Sequence, residues 1–400
     1  MEAEFISRMD DFEGSAQWGA EMSKRLDSRF LKDEEFVADR VENLVAGSSN
    51  LCNLDAPYRG VGDSHLQEKP LPEFQVKRLI ELVRRHKEQS GEKIDHFRIG
   101  SAGGLLQHRR LVDLISGTEE SVRRYSILSD LNIKDDSMIR FVAEHPKFDQ
   151  VCLTCDAGDE KTYDQLGSGN DFEIMLKNIR LFRKAGKRLV LNAALFRENT
   201  LSLLQLPERL HFEGFSRLHI VYPLNTNMHS NRQRLHKLTP AECRTFLLKA
   251  RTLCEIYSLE LTTDAWAFHP ELIGTLSALD HEEMYEAYTT RPCEMLYHLT
   301  LHPDGAYSNC SMLNRMGMAV GQEEQPLFNQ DLLQMLNAPE VLTFRKLQRL
   351  GCFPPPCELI CGKKDHSRDK KASSVIMRRN HAEKGSLMDA TGFESRENAG

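Results

Sequence analysis

The 400-residue sequence has no excess of positive charge: 52 Lys+Arg stand against 59 Asp+Glu, for a net charge of −7. That balance gives no counterion-release attraction to nucleic acid or to an anionic membrane surface, so neither is expected as a partner. No run approaches the ~18 uncharged apolar residues that a membrane-spanning helix needs. The start, MEAEFISRMDD, has neither the basic nor the apolar stretch of a secretory leader, and the expected compartment is the cytoplasm. A phosphate-binding glycine loop is missing too: Gly167-Ser168-Gly169 and Gly100–Gly104 lack the P-loop lysine and the dinucleotide-binding fingerprint. What the chain does have is ten cysteines. A reducing compartment disfavours a disulfide framework and leaves metal binding, catalysis or core packing as their uses.

With 40% hydrophobic residues the chain can bury a sizeable core in more than one structural unit. Residues 1–42 read as a polar, partly helical extension. From 43 to 257, short apolar runs alternate with amphipathic stretches, as in repeated βα units around a parallel sheet. The runs Leu44–Ala46, His96–Ile99, Tyr125–Leu128, Gln150–Leu153, Arg188–Leu191 and Leu218–Tyr222 are six expected strands. Between them, Val76, Leu79, Ile80 and Val83 fall at helical spacing, as do Phe172, Met175, Leu176 and Ile179. A third helix from Pro240 to about Tyr257 carries Phe246, Leu247, Ala250, Leu253, Cys254 and Tyr257 on one face, so Cys254 and Cys243 read as core residues. Six right-handed units make an open doubly wound sheet or a partial barrel, with chemistry at the C-terminal ends of the strands. After Leu261 the periodicity dissolves. Residues 258–362 read as a loop-rich, cysteine-bearing unit, and 363–400 as a disordered tail. The basic stretches of that tail, KKDHSRDKK and MRRN, are interspersed with acids and read as a solvated extension.

Five of the ten cysteines fall between 293 and 361. Cys293-x11-Gly305-x4-Cys310 flanks an apolar hairpin, LYHLTLHPDGAYSNC, whose PDG turn joins two short strands. Farther on, Cys357-x3-Cys361 lies in a Pro-rich, Gly-terminated loop, with Cys352 nearby as a spare. Four thiolates suit a structural zinc or a [4Fe–4S] cluster, and spacing alone does not choose. Cys152 and Cys155 look like a CxxC motif, but positions i and i+3 of a strand point to opposite faces, which argues for packing.

Taken together, these features resemble the radical S-adenosylmethionine (radical SAM) superfamily with a SPASM or twitch-type C-terminal extension, over about residues 43–362. The Cys293–Gly305–Cys310 hairpin is similar to the one that opens the auxiliary-cluster domain, and Phe344–Cys361 to the segment that closes it. Thr154, Asp156, Thr162, Tyr163, Phe172, Asn178, Ile179 and Asn192 match the family's pattern from the fourth to the fifth strand. The resemblance implies a partial (β/α)6 TIM-like barrel, a [4Fe–4S] cluster (or zinc) on Cys293, Cys310, Cys357 and Cys361, and Thr154 and Asn192 as cofactor-binding residues.

The core motif departs from the family. Where Cys-x3-Cys-x2-Cys should follow the first strand, the chain reads SSNLCNLDAPYRG, with Cys52 in place but Ala56 and Arg59 at the second and third positions. One thiolate cannot hold that cluster, and a guanidinium is the wrong donor. The loop expected to hold the methionine amino group reads Ser101-Ala102-Gly103-Gly104, without an acid, and the segment after strand three reads Ser129-Asp130-Leu131. The expectation is a pseudoenzyme that does not cleave S-adenosylmethionine. It would serve as scaffold or substrate-presenting partner for an active maturation enzyme acting on a peptide or small molecule. The alternative is an active enzyme. In one form Cys52 gains help from Cys152, Cys155 or a histidine such as His96; in the other, Asp55, Arg59, Asp130, Asp156 and Asn192 do non-radical chemistry at the barrel mouth. Arg59 could pair with a ligand's carboxylate or phosphate. His298 and His302 on the hairpin show no third convergent ligand and read as solvated or packed.

Overall fold

A computed structural model describes residues 37–46, 73–99, 110–166, 171–222, 235–263, 265, 272, 297–301, 307–309, 330–349, 353 and 357. Cys52, Asp55, Ala56, Arg59, Ser101–Gly104, Cys293, His302, Cys310, Cys352, Cys361, the extension before residue 37 and the tail from 363 lie outside the described residues.

The six expected strands are β1 (Asn43–Ala46), β2 (Ile94–Ile99), β3 (Val122–Ser129), β4 (Phe148–Thr154), β5 (Arg188–Ala194) and β6 (Arg217–Val221). Three more join them: β7 (Glu260–Thr263), β8 (His298–Leu301) and β9 (Tyr307–Ser308). The nine-stranded sheet has the order β7-β6-β5-β4-β3-β2-β1-β8-β9, with every pairing parallel except β8 with β9. Two features differ from expectation. The chain re-enters the sheet at β7, and the apolar periodicity misses it because Glu260-Leu-Thr-Thr263 is an edge strand whose side chains are mostly part-exposed. The hairpin forms as expected, but its first strand also pairs in parallel with β1, Asn43 opposite His298 and Ala46 opposite Leu301. The sheet therefore contains strands from both sides of residue 257.

Helices cover one face. α1 (Glu73–Ser90) buries Val76, Leu79, Leu82 and Val83, with Ile80 packed against the core from a partly buried position. It ends at Gly91, whose φ of 72° is the left-handed conformation that stops a helix cheaply only at glycine. α2 (Arg110–Thr118), α3 (Ser137–Glu144) and α4 (Glu160–Leu166) follow. α5 (Phe172–Lys184) is capped by the Asp171 carboxylate, which accepts from Ile174 N at 3.0 Å, and buries Phe172, Met175, Leu176 and Ile179. Two short helices, α6 (Thr200–Leu203) and α7 (Leu206–Phe212), precede α8 (Pro240–Ile256). The last opens with a Thr239–Glu242 capping box and Pro240 in its first turn, and buries Cys243, Phe246, Leu247, Ala250 and Cys254. α9 (Leu332–Leu336) and α10 (Pro339–Arg349) complete the described helices.

The alternation of each strand divides the sheet into two faces. Leu44, Phe97, Ile99, Tyr125, Ile127, Val151, Leu153, Leu191 and Ile220 are buried on the helix side. There the Tyr125 hydroxyl meets Thr118 Oγ1 of α2 at 2.8 Å and its ring stacks on Phe148 at 5.3 Å. The opposite, concave face carries His96 and Arg98 on β2, Ser126 on β3, Gln150, Cys152 and Thr154 on β4 and Asn192 on β5, with the apolar Val45, Leu128 and Val190 among them. Among the described residues no helix is long and apolar enough to cross a membrane.

Candidate functional site at the strand ends

The C-terminal ends of β3, β4 and β5 form one built edge. Thr154 and Asn192 are register partners on β4 and β5, so the two residues that the resemblance assigns to cofactor binding stand side by side on the concave face. Two residues past the end of β4, Asp156 is buried, and its Oδ1 accepts the Ala194 backbone N–H of β5 at 2.6 Å. Burial pushes this carboxyl up to about 7, against the opposing effect of that hydrogen bond. Asn199, just before α6, donates from Nδ2 to the carbonyls of Asp156 and Ala194, both at 2.8 Å, and pins the two strand ends together.

The loop after β4 is held just as closely. Gly158 N and Asp159 N both donate to Ser202 Oγ, at 2.9 and 3.2 Å, and the Ser202 hydroxyl in turn donates to the Asp159 carboxylate. A Cβ on Gly158 would lie 2.3 Å from the Ser202 carbonyl oxygen, so only glycine fits. Asp130, after β3, forms an Asx turn by accepting from Asn132 N at 2.9 Å. The same loop places Leu131 at a φ of 55° and is tethered by Asn178 of α5, whose Nδ2 donates to the carbonyls of Leu131 and Ile133 at 2.9 Å each. Asp130 and Asp156 thus sit on neighbouring strand ends, each with a backbone donor.

Asn199 and Ser202 were not singled out from sequence: they lie more than 40 positions from the loops they hold, and nothing local announces that contact. Lys237 was missed as well. Its ammonium lies 5.5 Å from the centre of the Tyr222 ring, beyond β6, and burial lowers it to about 8.

The thiols separate by place. Cys155, just past β4, is buried and its thiol donates to the Ala157 carbonyl at 3.1 Å, while Cys152 on the concave face accepts from Gln150 Nε2 at 3.1 Å. His96 belongs to the register row of Asn43, the first residue of β1, and its Nε2 is hydrogen-bonded to Ser126 Oγ at 2.7 Å. Among the described residues no group of three or more His, Cys, Asp or Glu converges as a metal site. Of the four expected C-terminal ligands Cys357 is described; it is half-buried, and Gln348 Nε2 of α10 approaches its sulfur at 3.7 Å.

The donor chemistry tests the implied cofactors. At the three positions where the resemblance expects thiolates, Cys52, Ala56 and Arg59 supply one thiol. The four C-terminal thiols fit a cluster or zinc in number and type, and the amide of Gln348 is the kind of donor that stabilises a thiolate ligand.

No protein-family model and no curated protein matches the sequence. Solved structures do. The chain matches SuiB of Streptococcus suis with a TM-score of 0.58 at 16% identity, over 83% of this chain and 74% of that one. SuiB has also been solved bound to S-adenosylmethionine and bound to precursor peptide SuiA. Native anSMEcpe with bound AdoMet matches with a TM-score of 0.57 at 14% identity, over 84% of this chain and 96% of that one, and anSMEcpe has been solved with AdoMet and a Cp18Cys peptide. At these identities the likeness is one of architecture, and it agrees with the parallel sheet and its helical layer: the chain shares the partial-barrel fold of SuiB and anSMEcpe.

Proposed function

We propose that the protein is a radical-SAM-fold pseudoenzyme that presents a peptide or small-molecule substrate to an active maturation enzyme, and that it carries one thiolate-bound metal centre in a C-terminal SPASM- or twitch-like unit. The observation that carries this reading is the donor set after β1: Cys52 alone, with Ala56 and Arg59 where two further thiolates are needed. The fold supports the substrate class, since SuiB and anSMEcpe, which share it, have been solved with peptides bound. In this reading residues 43–257 form the barrel and 258–362 the thiol-rich unit, with Cys293, Cys310, Cys357 and Cys361 as ligands. A [4Fe–4S] cluster there would supply rigidity or electron transfer. The chain's own groups do the rest: Thr154 and Asn192 present side-by-side polar groups, Asn199 fixes the spacing of β4 and β5, and Asp156 holds a proton beside Ala194.

Iron and sulfide content after anaerobic reconstitution tests the reading. One cluster per chain is expected, with no reductive cleavage of S-adenosylmethionine; two clusters, or cleavage, would sink it. Cys357→Ala should abolish the visible iron–sulfur absorption, and a colourless wild type that binds zinc would exchange iron for zinc without changing the rest of the reading.

One observation favours a second reading, acid–base chemistry at the barrel mouth. Asp156 is a carboxyl that exchanges its proton near neutrality, on the strand next to that of Asp130. It predicts a turnover that rises or falls through pH 7 and vanishes in Asp156→Asn.

A further inference from the structure

The concave wall holds a charge that the strand ends do not use. Arg98 of β2 lies in register with Val45 of β1 and Ser126 of β3, and Val45 in turn with Thr300 of β8. One row toward the strand starts stand His96, Asn43 and His298. Register partners in a parallel sheet share a face. The alternate residues Leu44, Phe97, Ile99, Leu299 and Leu301 are buried among the core apolars, so Arg98, His96, Ser126, His298 and Thr300 occupy one patch of the concave wall.

Three observations point from this patch to a ligand. Arg98 is exposed and pairs with no carboxylate among the described residues, whereas Arg124 has Asp149 at 3.9 Å and Arg217 has Glu260 at 2.7 Å. Beside it, Thr300 is 0% exposed and its Oγ1 has no hydrogen-bond partner, and His298 Nδ1 is likewise buried without one. Leaving such groups unpaired is costly, and a fold tolerates it where a ligand completes them. Finally, both imidazoles are uncharged at neutral pH. Burial, then Arg98, pushes each down to about 4, with Arg124 and His298 adding to the effect on His96. His96 is also fixed in place by Ser126 Oγ at 2.7 Å. The patch is therefore the Arg98 guanidinium framed by neutral hydrogen-bonding groups, with Arg124, the register partner of His96, beside it and paired at 3.9 Å with Asp149, in a chain whose net charge is −7.

We infer that this wall is an oxyanion subsite: Arg98 receives a carboxylate or phosphate in its guanidinium fork, and Thr300 and His298 supply the hydrogen bonds left unmade in the protein alone. The inference goes beyond the proposed function and holds whether or not a core cluster forms. Its position is informative. Arg98 and Thr300 stand one residue from the ends of β2 and β8, but Gln150, in register with Ser126, precedes Thr154 by four residues on β4, so the subsite lies about 13 Å below the level of Thr154 at about 3.3 Å per residue. A ligand anchored here by its acidic end would extend its other end toward Thr154, Asn192 and Asp156.

Titration calorimetry on the full chain tests this with three probes: inorganic phosphate, a short peptide with a free C-terminal carboxylate, and the same peptide as its C-terminal amide. Phosphate or the free-acid peptide should bind, and which of them does identifies the source of the oxyanion. The amide should bind at least tenfold more weakly than the acid. Arg98→Gln should cost at least tenfold in affinity, Arg98→Lys less, and the ring nitrogen resonances of His298 should shift on binding in the wild type. Thr300→Val removes an unpartnered hydroxyl, so it should fold at least as stably as the wild type while binding several-fold more weakly; it carries the test if Arg98→Gln does not fold. No binding of either anion, equal binding of acid and amide without any phosphate binding, or affinities indifferent to both substitutions would overturn the inference.

Discussion

Asp156 keeps its proton to about pH 7 because it is buried beside a single backbone donor, and that makes stability depend on pH. Its folded pKa lies above the unfolded value of 3.8, so its contribution is fully present below about pH 4 and is lost as pH rises through 7. At about 1.4 kcal/mol per unit, the loss is at most about 4 kcal/mol. Asparagine has the same shape, and its carbonyl can still accept from Ala194 N. Asp156→Asn should therefore be more stable than wild type at pH 8 and equal to it near pH 4, as read by chemical denaturation at both values. Equal stability at both would mean that the carboxylate is better solvated than its burial indicates. Gly158 is a second single-residue test. Its missing Cβ leaves room for the Ser202 carbonyl, so Gly158→Ala must push α6 away from the loop after β4. The expected cost is about 1–3 kcal/mol, the range of overpacked sites, whereas alanine at Gly117 meets side-chain atoms of the partly buried Ile80 rather than backbone and should cost less.

At the scale of elements, the β3 loop depends on a helix that precedes neither it nor its strand. Asn178 of α5 satisfies the carbonyls of Leu131 and Ile133 from inside the core, where it is 0% exposed. Asn178→Ala leaves both without that donor, so the loop carrying Asp130 should show faster amide exchange while β3 itself stays protected; exchange confined to α5 would refute the tether. What was legible in sequence follows from the same geometry. β1 to β6 are buried against helices on one side and give apolar runs that local periodicity detects, and α1, α5 and α8 show their buried faces at i, i+3 and i+4. β7 gives no such run because it lies at the edge, with Glu260 spent on Arg217. The β8–β9 hairpin was readable because its turn is local. The parallel pairing of β8 with β1 was not, since Asn43 and His298 meet across more than 250 positions with no pattern in between. For the same reason the strand-end residues Thr154, Asp156 and Asn192 were identifiable one by one, whereas the patch around Arg98 was not: His298 joins it only through that pairing.

Among the described residues, the segment before β1 is joined to the last helices. Asn337, at the end of α9, accepts from Ala38 N and donates to Ala38 O, both at 2.8 Å, so one side-chain amide pairs with the backbone just before β1 as a strand would. Arg345 of α10 adds to it: it is 0% exposed, donates to Asn337 Oδ1 at 3.2 Å and to Leu336 O at 2.7 Å, and lies 4.8 Å from the centre of the Tyr297 ring, next to β8. Asp331 takes Arg85 and Gln89 of α1, at 3.2 and 3.1 Å. The helix pair therefore grips the segment before β1, the start of β8 and α1 at once, and α10 leads through Gln348 to Cys357. Asn337→Ala would remove two hydrogen bonds from Ala38 and one from Arg345 in a part-buried setting, at a cost of about 1–3 kcal/mol for each group left unpaired. Because one side chain serves both ends, residues 37–46 and 332–349 should lose exchange protection together, with β4 and β5 unaffected. If the C-terminal thiols hold their metal in a unit braced by this grip, the same substitution should also speed metal loss to a chelator. Deprotection of only one of the two segments would show that the ends are held independently.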